Sequence, residues 1–256
     1  MAMKMPRLRF SILTLLVLTA VIACSLMFYQ RHLAWKQAER DFREILHTLG
    51  KQEERASKAS KLIARYPQLA RQDGVMIFAA DTGDVNFCRQ CFEAGADPNE
   101  RTESGQLSTI FWPTYHGQIS IVKLLIEHGA DIDVRFPEFD LDRTLLHIAT
   151  RENNYEVCQL LIDAGIDVNA VDKLGNTPLH LAAYNRHDRV VQLLLSAGAE
   201  SRFNKNGQTP RDLAIVSIET FILEPDEEQV ARQIVDLLPR HDPIRPPANQ
   251  SKADLP

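Results

Sequence analysis

Residues 175–199, GNTPLHLAAYNRHDRVVQLLLSAGA, decide the fold of this chain. Thr177 and Pro178 predict a helix start, because threonine caps backbone N–H groups and proline suits the first helical position. The apolar run VVQLLL at residues 190–195 predicts a second helix that is sandwiched between neighbours. Gly198 then supplies the left-handed residue that commonly ends a helix. The stretch therefore predicts two short helices closed by a glycine turn.

The closing turn recurs along the chain. EAGAD, EHGAD, DAGID and SAGAE place Gly95, Gly129, Gly165 and Gly198 at spacings of 34, 36 and 33 residues. Periods in this range are typical of helical solenoids. One such unit cannot bury its apolar face alone, so neighbouring units stack and display one long surface. The predicted fold class is therefore an all-α helical solenoid.

GNTPLHLAA and VVQLLLSAGA resemble the ankyrin-repeat family, which combines a TPLH turn, a VVxLLL helix and a GADxN turn. The third repeat matches with RTLLHIAT, VCQLLIDAG and IDVN, and the second keeps ISIVKLLIEHGADIDV. The first repeat, FAADTGDVNFCRQCFEAGADPN, lacks TPLH, whereas GQTPRDLA at residues 207–214 opens a fifth unit. The resemblance implies four repeats plus a C-terminal capping unit over residues 74–238.

The resemblance also implies roles for individual residues. In this family the histidine of the TPLH turn bonds to backbone of the adjacent repeat, which implies structural roles for His147 and His180. We expect a structural role for all the repeat residues, namely Thr177, Pro178, His147, His180, Gly95, Gly129, Gly165 and Gly198. Neither catalysis nor a cofactor is expected, since no nucleophile with a base and no phosphate loop stands out.

A second glycine separates the paired helices of a repeat, at Gly83 and Gly117. The third and fourth repeats place Asn153 and Arg186 there. Asparagine tolerates left-handed geometry better than arginine does. We therefore expect the change Arg186→Gly to stabilise the protein, provided that φ is positive at this position.

The turns between repeats, called fingers here, line the concave surface on which this family usually binds partners. The finger from Gly129 to Thr144 spans 15 residues, against 12 from Gly165 to Thr177, and it carries two aromatics on an acidic loop. These aromatics could anchor a partner, or could fold back onto the stack. The predicted interaction residues are these two, Phe136 and Phe139, three at related finger positions, Arg101, Lys173 and Phe203, and two near first-helix ends, Tyr115 and Tyr184.

Two patterns suggest metal or redox chemistry but fit a structural interpretation better. Cys88-x-x-Cys91 falls on apolar helix positions, which favours buried thiols, as at Cys158, over a zinc or redox site. The acidic pairs Asp131/Asp133 and Asp140/Asp142 lie in turns without the spacing of a calcium loop, and we expect them to be solvated. No metal site is predicted.

Residues 10–30, FSILTLLVLTAVIACSLMFYQ, form a run of 21 residues without charge. As a helix this run would span about 30 Å, the thickness of a hydrocarbon core. With the basic head at residues 1–9, it predicts a retained single-pass membrane anchor. Two alternatives remain: a lipoprotein signal with Cys24 as the lipidated residue, and an ordinary cleaved signal.

Orientation is weakly specified, because basic residues flank the run on both sides. A short basic head before an apolar run resembles a bacterial signal-anchor, which favours an extracytoplasmic repeat domain.

Residues 31–57 predict a helical connector. Its apolar stripe consists of Trp35, Ala38, Phe42, Ile45 and Leu49. The stripe could pack on the first repeat or pair two chains, so the oligomeric state stays open. Residues 58–73 predict a capping half-repeat, and the polar, proline-rich residues 239–256 predict a disordered tail.

Charge is distributed unevenly. Residues 1–73 carry 13 Lys and Arg against six Asp and Glu, whereas residues 74–238 carry 13 against 26. A repeat domain this acidic repels phosphate backbones, which argues against nucleic-acid binding. The expected partner is a basic or mixed-charge protein.

Overall fold

The computed structural model describes residues 12–47, 52–102, 105–137, 141–220 and 225–239, with side chains described from Ser25 onward except at residues 47 and 53. The chain divides into two compact units, Met1–Leu69 and Ala70–Pro256. Each unit is described by itself.

The N-terminal unit contains a pair of packed helices, α1 (Ile12–His47) and α2 (Gln52–Arg65), followed by a 3₁₀ helix that begins at Pro67. The Arg55 guanidinium donates to the carbonyls of Ile45 and Leu46 at 2.8 and 2.7 Å. These two bonds satisfy carbonyls near the end of α1, where no further helical turn can do so.

The apolar stripe of the connector lies where α1 runs beside α2. Ala38 and Phe42 are buried, Trp35 and Ile45 are half-buried, and Leu49 lies outside the described residues. The Trp35 ring meets an aromatic ring that follows α2, that of Tyr66, edge-on at 5.9 Å. The sequence predicted that this stripe packs on the first repeat or pairs two chains, and neither interpretation included packing on α2. Helix α2 also continues across the predicted boundary between residues 57 and 58.

The predicted membrane segment is described only in part, because the side chains of residues 12–24, including Cys24, lie outside the described residues. In the part of the chain that is described, no helix has the length and apolar character needed to cross a membrane.

The second unit consists of helix pairs. They are α3 (Val75–Thr82) with α4 (Val85–Glu93), α5 (Phe111–Tyr115) with α6 (Ile119–Glu127), α7 (Leu145–Arg151) with α8 (Tyr155–Asp163), α9 (Pro178–Tyr184) with α10 (Asp188–Ser196), and α11 (Pro210–Thr220) with α12 (Pro225–Leu237). Within the long finger, β1 (Arg135–Phe136) pairs antiparallel with β2 (Arg143–Thr144), with Arg135 opposite Thr144.

The pairs stack into two layers. The first helices α3, α5, α7, α9 and α11 contact one another in series, and the second helices α4, α6, α8, α10 and α12 do the same. Leu125, Leu161 and Leu194 of the second layer are fully buried. Both layers bury apolar residues because each helix lies between two neighbours, which confirms the predicted solenoid.

Helix ends follow the predicted chemistry. Thr144 and Thr177 form capping boxes, in which the threonine bonds to a histidine three residues later. At the repeat-closing turns, the glycines have positive φ values between 84° and 91°, namely Gly95, Gly129, Gly165 and Gly198. A backbone of this kind favours glycine, since a Cβ atom in the left-handed region crowds the carbonyl oxygen that follows it in the chain.

The turn inside each repeat is also left-handed. Gly83 and Gly117 have φ values of 73° and 69°, and Asn153 and Arg186 have 57° and 63° in the same place. The condition set for the stabilising change Arg186→Gly, a positive φ at this position, is therefore met.

Candidate protein-binding groove

A groove of about 350 Å³ opens between the third, fourth and fifth repeats. Its walls are the finger before α9 (residues 167–177), the finger before α11 (residues 200–209) and the ends of helices α7, α9 and α11. Half of the lining side chains are amides, and the others are two arginines, two leucines and one tyrosine. The lining residues are Arg143, Arg151, Asn176, Leu181, Tyr184, Asn185, Asn204, Asn206, Gln208 and Leu213.

Two matching turns hold the amide groups in place. The Asp172 carboxylate accepts the N–H groups of Leu174 and Asn176 at 2.9 and 2.8 Å. Asn204 stands in the same position of the next finger, and its Oδ1 atom accepts from the N–H groups of Asn206 and Gln208 at 3.0 and 2.9 Å. Each finger tip is therefore closed by its own side chain, as in an Asx turn.

The two fingers are also bonded to each other. The Asn204 amide donates from Nδ2 to Oδ1 of Asn176 at 2.9 Å, and the Lys205 N–H donates to the carbonyl of Leu174 at the same distance. Asn176 and Asn204 are both buried. Because each finger supports the next, the groove is shaped before any ligand arrives.

Two buried histidines join successive repeats at the floor of the fingers. His147 Nδ1 accepts from the Thr144 N–H, so its Nε2 atom carries the proton and donates to the Asn176 carbonyl at 2.9 Å. His180 makes the equivalent bond to the Gln208 carbonyl at 3.1 Å. Burial lowers the pKa of His147 to about 4 and also lowers the pKa of His180, which keeps both rings neutral.

The two arginines of the groove contact acidic neighbours. Arg143 is buried, with its Nε atom 3.9 Å from the Asp172 carboxylate. Arg151 donates to Glu152 at 2.7 Å, and its guanidinium also lies 5.7 Å from the centre of the Tyr115 ring. The groove thus presents neutral amides between two arginines, each of which lies beside a carboxylate.

The structure separates the predicted interaction residues. Tyr184 lines the groove and Tyr115 lies beside Arg151, both half-buried. On the fingers, Arg101 and Lys173 are exposed and Phe203 is half-buried. Of these residues, the groove therefore includes only Tyr184.

Of the two interpretations of Phe136, the structure shows the aromatic folded back onto the repeat stack. Its side chain is fully buried, with its ring 4.9 Å from the ring of Phe111. The pairing of β1 with β2 turns the aromatic inward, where it fills space beside α5. Phe139 lies outside the described residues.

None of the five amides that line the groove was among the predicted interaction residues. A signal was present, because DKLGN at residues 172–176 and NKNGQ at residues 204–208 repeat one pattern. In both, an Asx residue precedes a glycine by three positions and an amide by four. The role of the amides depends on the stacking of two fingers, which no single repeat reveals.

The cysteines behave as buried apolar residues. Cys88, Cys91 and Cys158 are free thiols without exposed surface, and burial raises the pKa values of Cys91 and Cys158 to about 12. Within the described ranges, no group of His, Cys, Asp and Glu side chains could hold a metal ion. The Asp131 carboxylate instead accepts the N–H of Asp133 at 2.9 Å, within its own turn.

Known proteins resemble the repeat region of this chain. The family model described as ankyrin repeats (3 copies) matches residues 75–172 and 146–224. Diacylglycerol kinase iota of Rattus norvegicus is 28% identical over 110 residues, which cover 43% of this chain and 10% of the kinase.

Two further relatives carry the repeat in their names. Ankyrin repeat protein FPV024 of Fowlpox virus is 38% identical over 100 residues, covering 39% of this chain and 16% of the viral protein. Ankyrin repeat domain-containing protein SAT10 of Stachybotrys chartarum is 31% identical over 112 residues, covering 43% and 6%. The chain thus spans less than a fifth of each relative, and the kinase is matched in its ankyrin region only. Ankyrin repeats are protein-interaction modules and generally non-catalytic. By its motifs, its helix pairs and its family match, this chain belongs to the ankyrin-repeat family.

Proposed function

We propose that this protein is a membrane-anchored scaffold that holds a protein partner in the groove between its third, fourth and fifth repeats. The observation that carries the proposal is the group of amide side chains that reach the surface of the groove, namely Asn185, Asn206 and Gln208, above the buried pair Asn176 and Asn204 that holds the fingers together.

The chemistry of the groove suits an extended peptide segment. Each of these three accessible amides can both donate and accept hydrogen bonds, which matches the alternating N–H and C=O groups of a peptide backbone. Leu181, Tyr184 and Leu213 add apolar surface for one large side chain of the partner. Such an anchor in a preformed pocket typically supplies most of the binding energy.

Charge guides the wider approach of the partner. The repeats carry an excess of 13 acidic residues over residues 74–238. This field attracts a basic or mixed-charge protein and accelerates its encounter with the groove.

Site-specific photo-cross-linking tests the proposed binding face. A photoreactive residue replaces either Asn206, exposed in the groove, or Gln192, exposed on α10. We expect one dominant protein adduct from position 206 and none from position 192. Equal adducts from both positions, or an adduct from position 192 alone, would contradict the proposed face.

The anchor is the second part of the proposal, and its support is the uncharged run at residues 10–30. We expect the full chain to stay in the membrane fraction after alkaline carbonate extraction, at the mass of the intact chain. A soluble chain would refute the anchor, and loss of residues 1–23 with lipid on Cys24 would replace it by a lipoprotein. A reporter fused after Pro256 and active only outside the cytoplasm tests the proposed extracytoplasmic orientation.

A further inference from the structure

A second cavity, of about 500 Å³, lies in the N-terminal unit between α1 and the segment where α2 ends. Met27, Arg31 and Trp35 line it from α1, at successive helical turns. Arg65 and Tyr66 line it from the other side. With Gln30, Ala34 and Gln68, the lining combines two cationic groups, two aromatic rings, two amides and two apolar side chains.

The side chains that line this cavity carry two positive charges and no negative charge. No Asp or Glu lines it, and within the described residues neither Arg31 nor Arg65 forms an ion pair. The Arg65 guanidinium lies 5.4 Å from the centre of the Tyr66 ring. Two guanidinium groups on opposite walls match the oxygen atoms of a phosphate better than a single carboxylate.

The surface just before the cavity is apolar on every side of α1. Leu26, Met27, Phe28 and Tyr29 are 56%, 56%, 74% and 60% exposed. Consecutive helical residues point about 100° apart, so these four side chains surround the helix. A protein partner covers one side of a helix, whereas lipid covers all sides, and therefore lipid is the occupant that fits.

The exposed apolar residues 26–29 and the cavity are continuous along α1. Met27 belongs to both, and Arg31 follows it by one turn of about 5 Å. The ring centres of Trp35 and Tyr66 lie 5.9 Å apart, on the C-terminal side of the apolar residues 26–29. Amphipathic aromatic side chains of this kind favour the level of lipid head groups.

We infer that the cavity between Arg31 and Arg65 binds the phosphate of an anionic phospholipid, whose acyl chains lie along Met27 and its apolar neighbours. The site rests on the membrane placement proposed above and adds a lipid preference to it. Its role is to select the lipid around the anchor, independently of the partner groove.

Fluorescence quenching of Trp35 in proteoliposomes tests this site with the full chain. The bilayer contains one part phosphatidylglycerol to three parts phosphatidylcholine, and either lipid is brominated in separate samples. The quenching that disappears in Trp35→Phe is assigned to Trp35. We expect brominated phosphatidylglycerol to quench Trp35 far above its share of the bilayer. The double variant Arg31→Gln/Arg65→Gln should weaken this enrichment about tenfold or more.

The control variant Lys36→Gln/Lys61→Gln removes the same charge, also one group from each helix, but lies outside the cavity. It should keep most of the enrichment. An equal loss in both double variants would overturn the site in favour of a diffuse charge effect. Quenching in proportion to bilayer composition would overturn lipid selection while leaving the anchor intact. No quenching by either lipid would overturn both the site and the membrane placement.

Discussion

Arg186 stands in a backbone conformation that favours glycine. Its φ of 63° lies in the left-handed region, where a Cβ atom costs about 1–2 kcal/mol. Arg186→Gly relieves this strain but makes the unfolded chain more flexible, so we expect a net gain of about 0.5–1 kcal/mol. Thermal unfolding measures the effect. Arg186→Ala is the control, because it removes the guanidinium but keeps the Cβ atom. A lower midpoint for glycine than for alanine would contradict the argument.

Gly175 meets a second constraint besides its φ of 78°. An added Cβ atom would lie 2.9 Å from the Lys205 backbone nitrogen, which donates to Leu174 across the fingers. Gly129 has a similar φ of 85° but open space around it. We therefore expect Gly175→Ala to lower the free energy of unfolding by about 1 kcal/mol or more beyond the loss in Gly129→Ala. Equal losses in urea unfolding would show that finger contact adds nothing.

Helix α3 takes its N-terminal cap from a distant residue. Gly74 precedes the helix and offers no side chain, and the Glu100 carboxylate accepts the N–H groups of Met76 and Ile77 at 2.8 and 3.3 Å. Glu100→Ala should cost about 1–2 kcal/mol, the usual loss for a helix cap. Glu93→Ala, an exposed change on α4, should stay within about 0.5 kcal/mol in the same urea titration. A cost for Glu100→Ala no larger than that of Glu93→Ala would contradict the capping role.

The histidines between repeats predict a loss of stability in acid. The pKa of His147 is about 4 in the folded protein and near 6.5 when unfolded, so the unfolded chain binds this proton more tightly. Stability is therefore full above pH 6.5 and falls as the pH drops towards 4, by about 3 kcal/mol for this residue. The lowered pKa values of His180 and His187 act in the same direction.

Urea unfolding between pH 7.5 and 4 measures this dependence. His147→Asn should be less stable at pH 7 but should lose less on acidification, because one protonation difference is gone. His116→Asn, a change at an exposed histidine, should follow the unmodified protein. Parallel curves for His147→Asn and the unmodified protein would contradict the assignment.

The sequence predicted the helix pairs well because each repeat contains its own signals. Thr177, Pro178 and Gly198 act through neighbours within a few residues, and their roles are visible in one repeat. The cap from Glu100 was missed because it acts across 23 residues or more. Asn204 was missed for a similar reason, since its bond to Asn176 exists only after two fingers stack. For Phe136, both burial and exposure fitted the sequence, and the pairing of β1 with β2 decided between them.

At the scale of the whole molecule, the two units differ in charge and in proposed task. The N-terminal residues 1–73 carry an excess of seven basic groups, which suits an anionic membrane surface, and the repeats carry the opposite excess. In the proposed scaffold, an acidic repeat domain held near a membrane would raise the local concentration of a basic or mixed-charge partner there. The proposed scaffold thus divides membrane binding and partner binding between its two units.

Binding in the groove is measured by the affinity of the full chain for the partner that cross-linking identifies. Isothermal titration compares the unmodified protein with Asn206→Arg, which fills the groove, and with Gln192→Arg, which adds the same charge on the exposed side of α10. If the partner binds in the groove, we expect at least a tenfold rise in Kd for Asn206→Arg and an unchanged Kd for Gln192→Arg. An unchanged Kd for Asn206→Arg, or an equal rise for both, would place the binding surface elsewhere on the repeats.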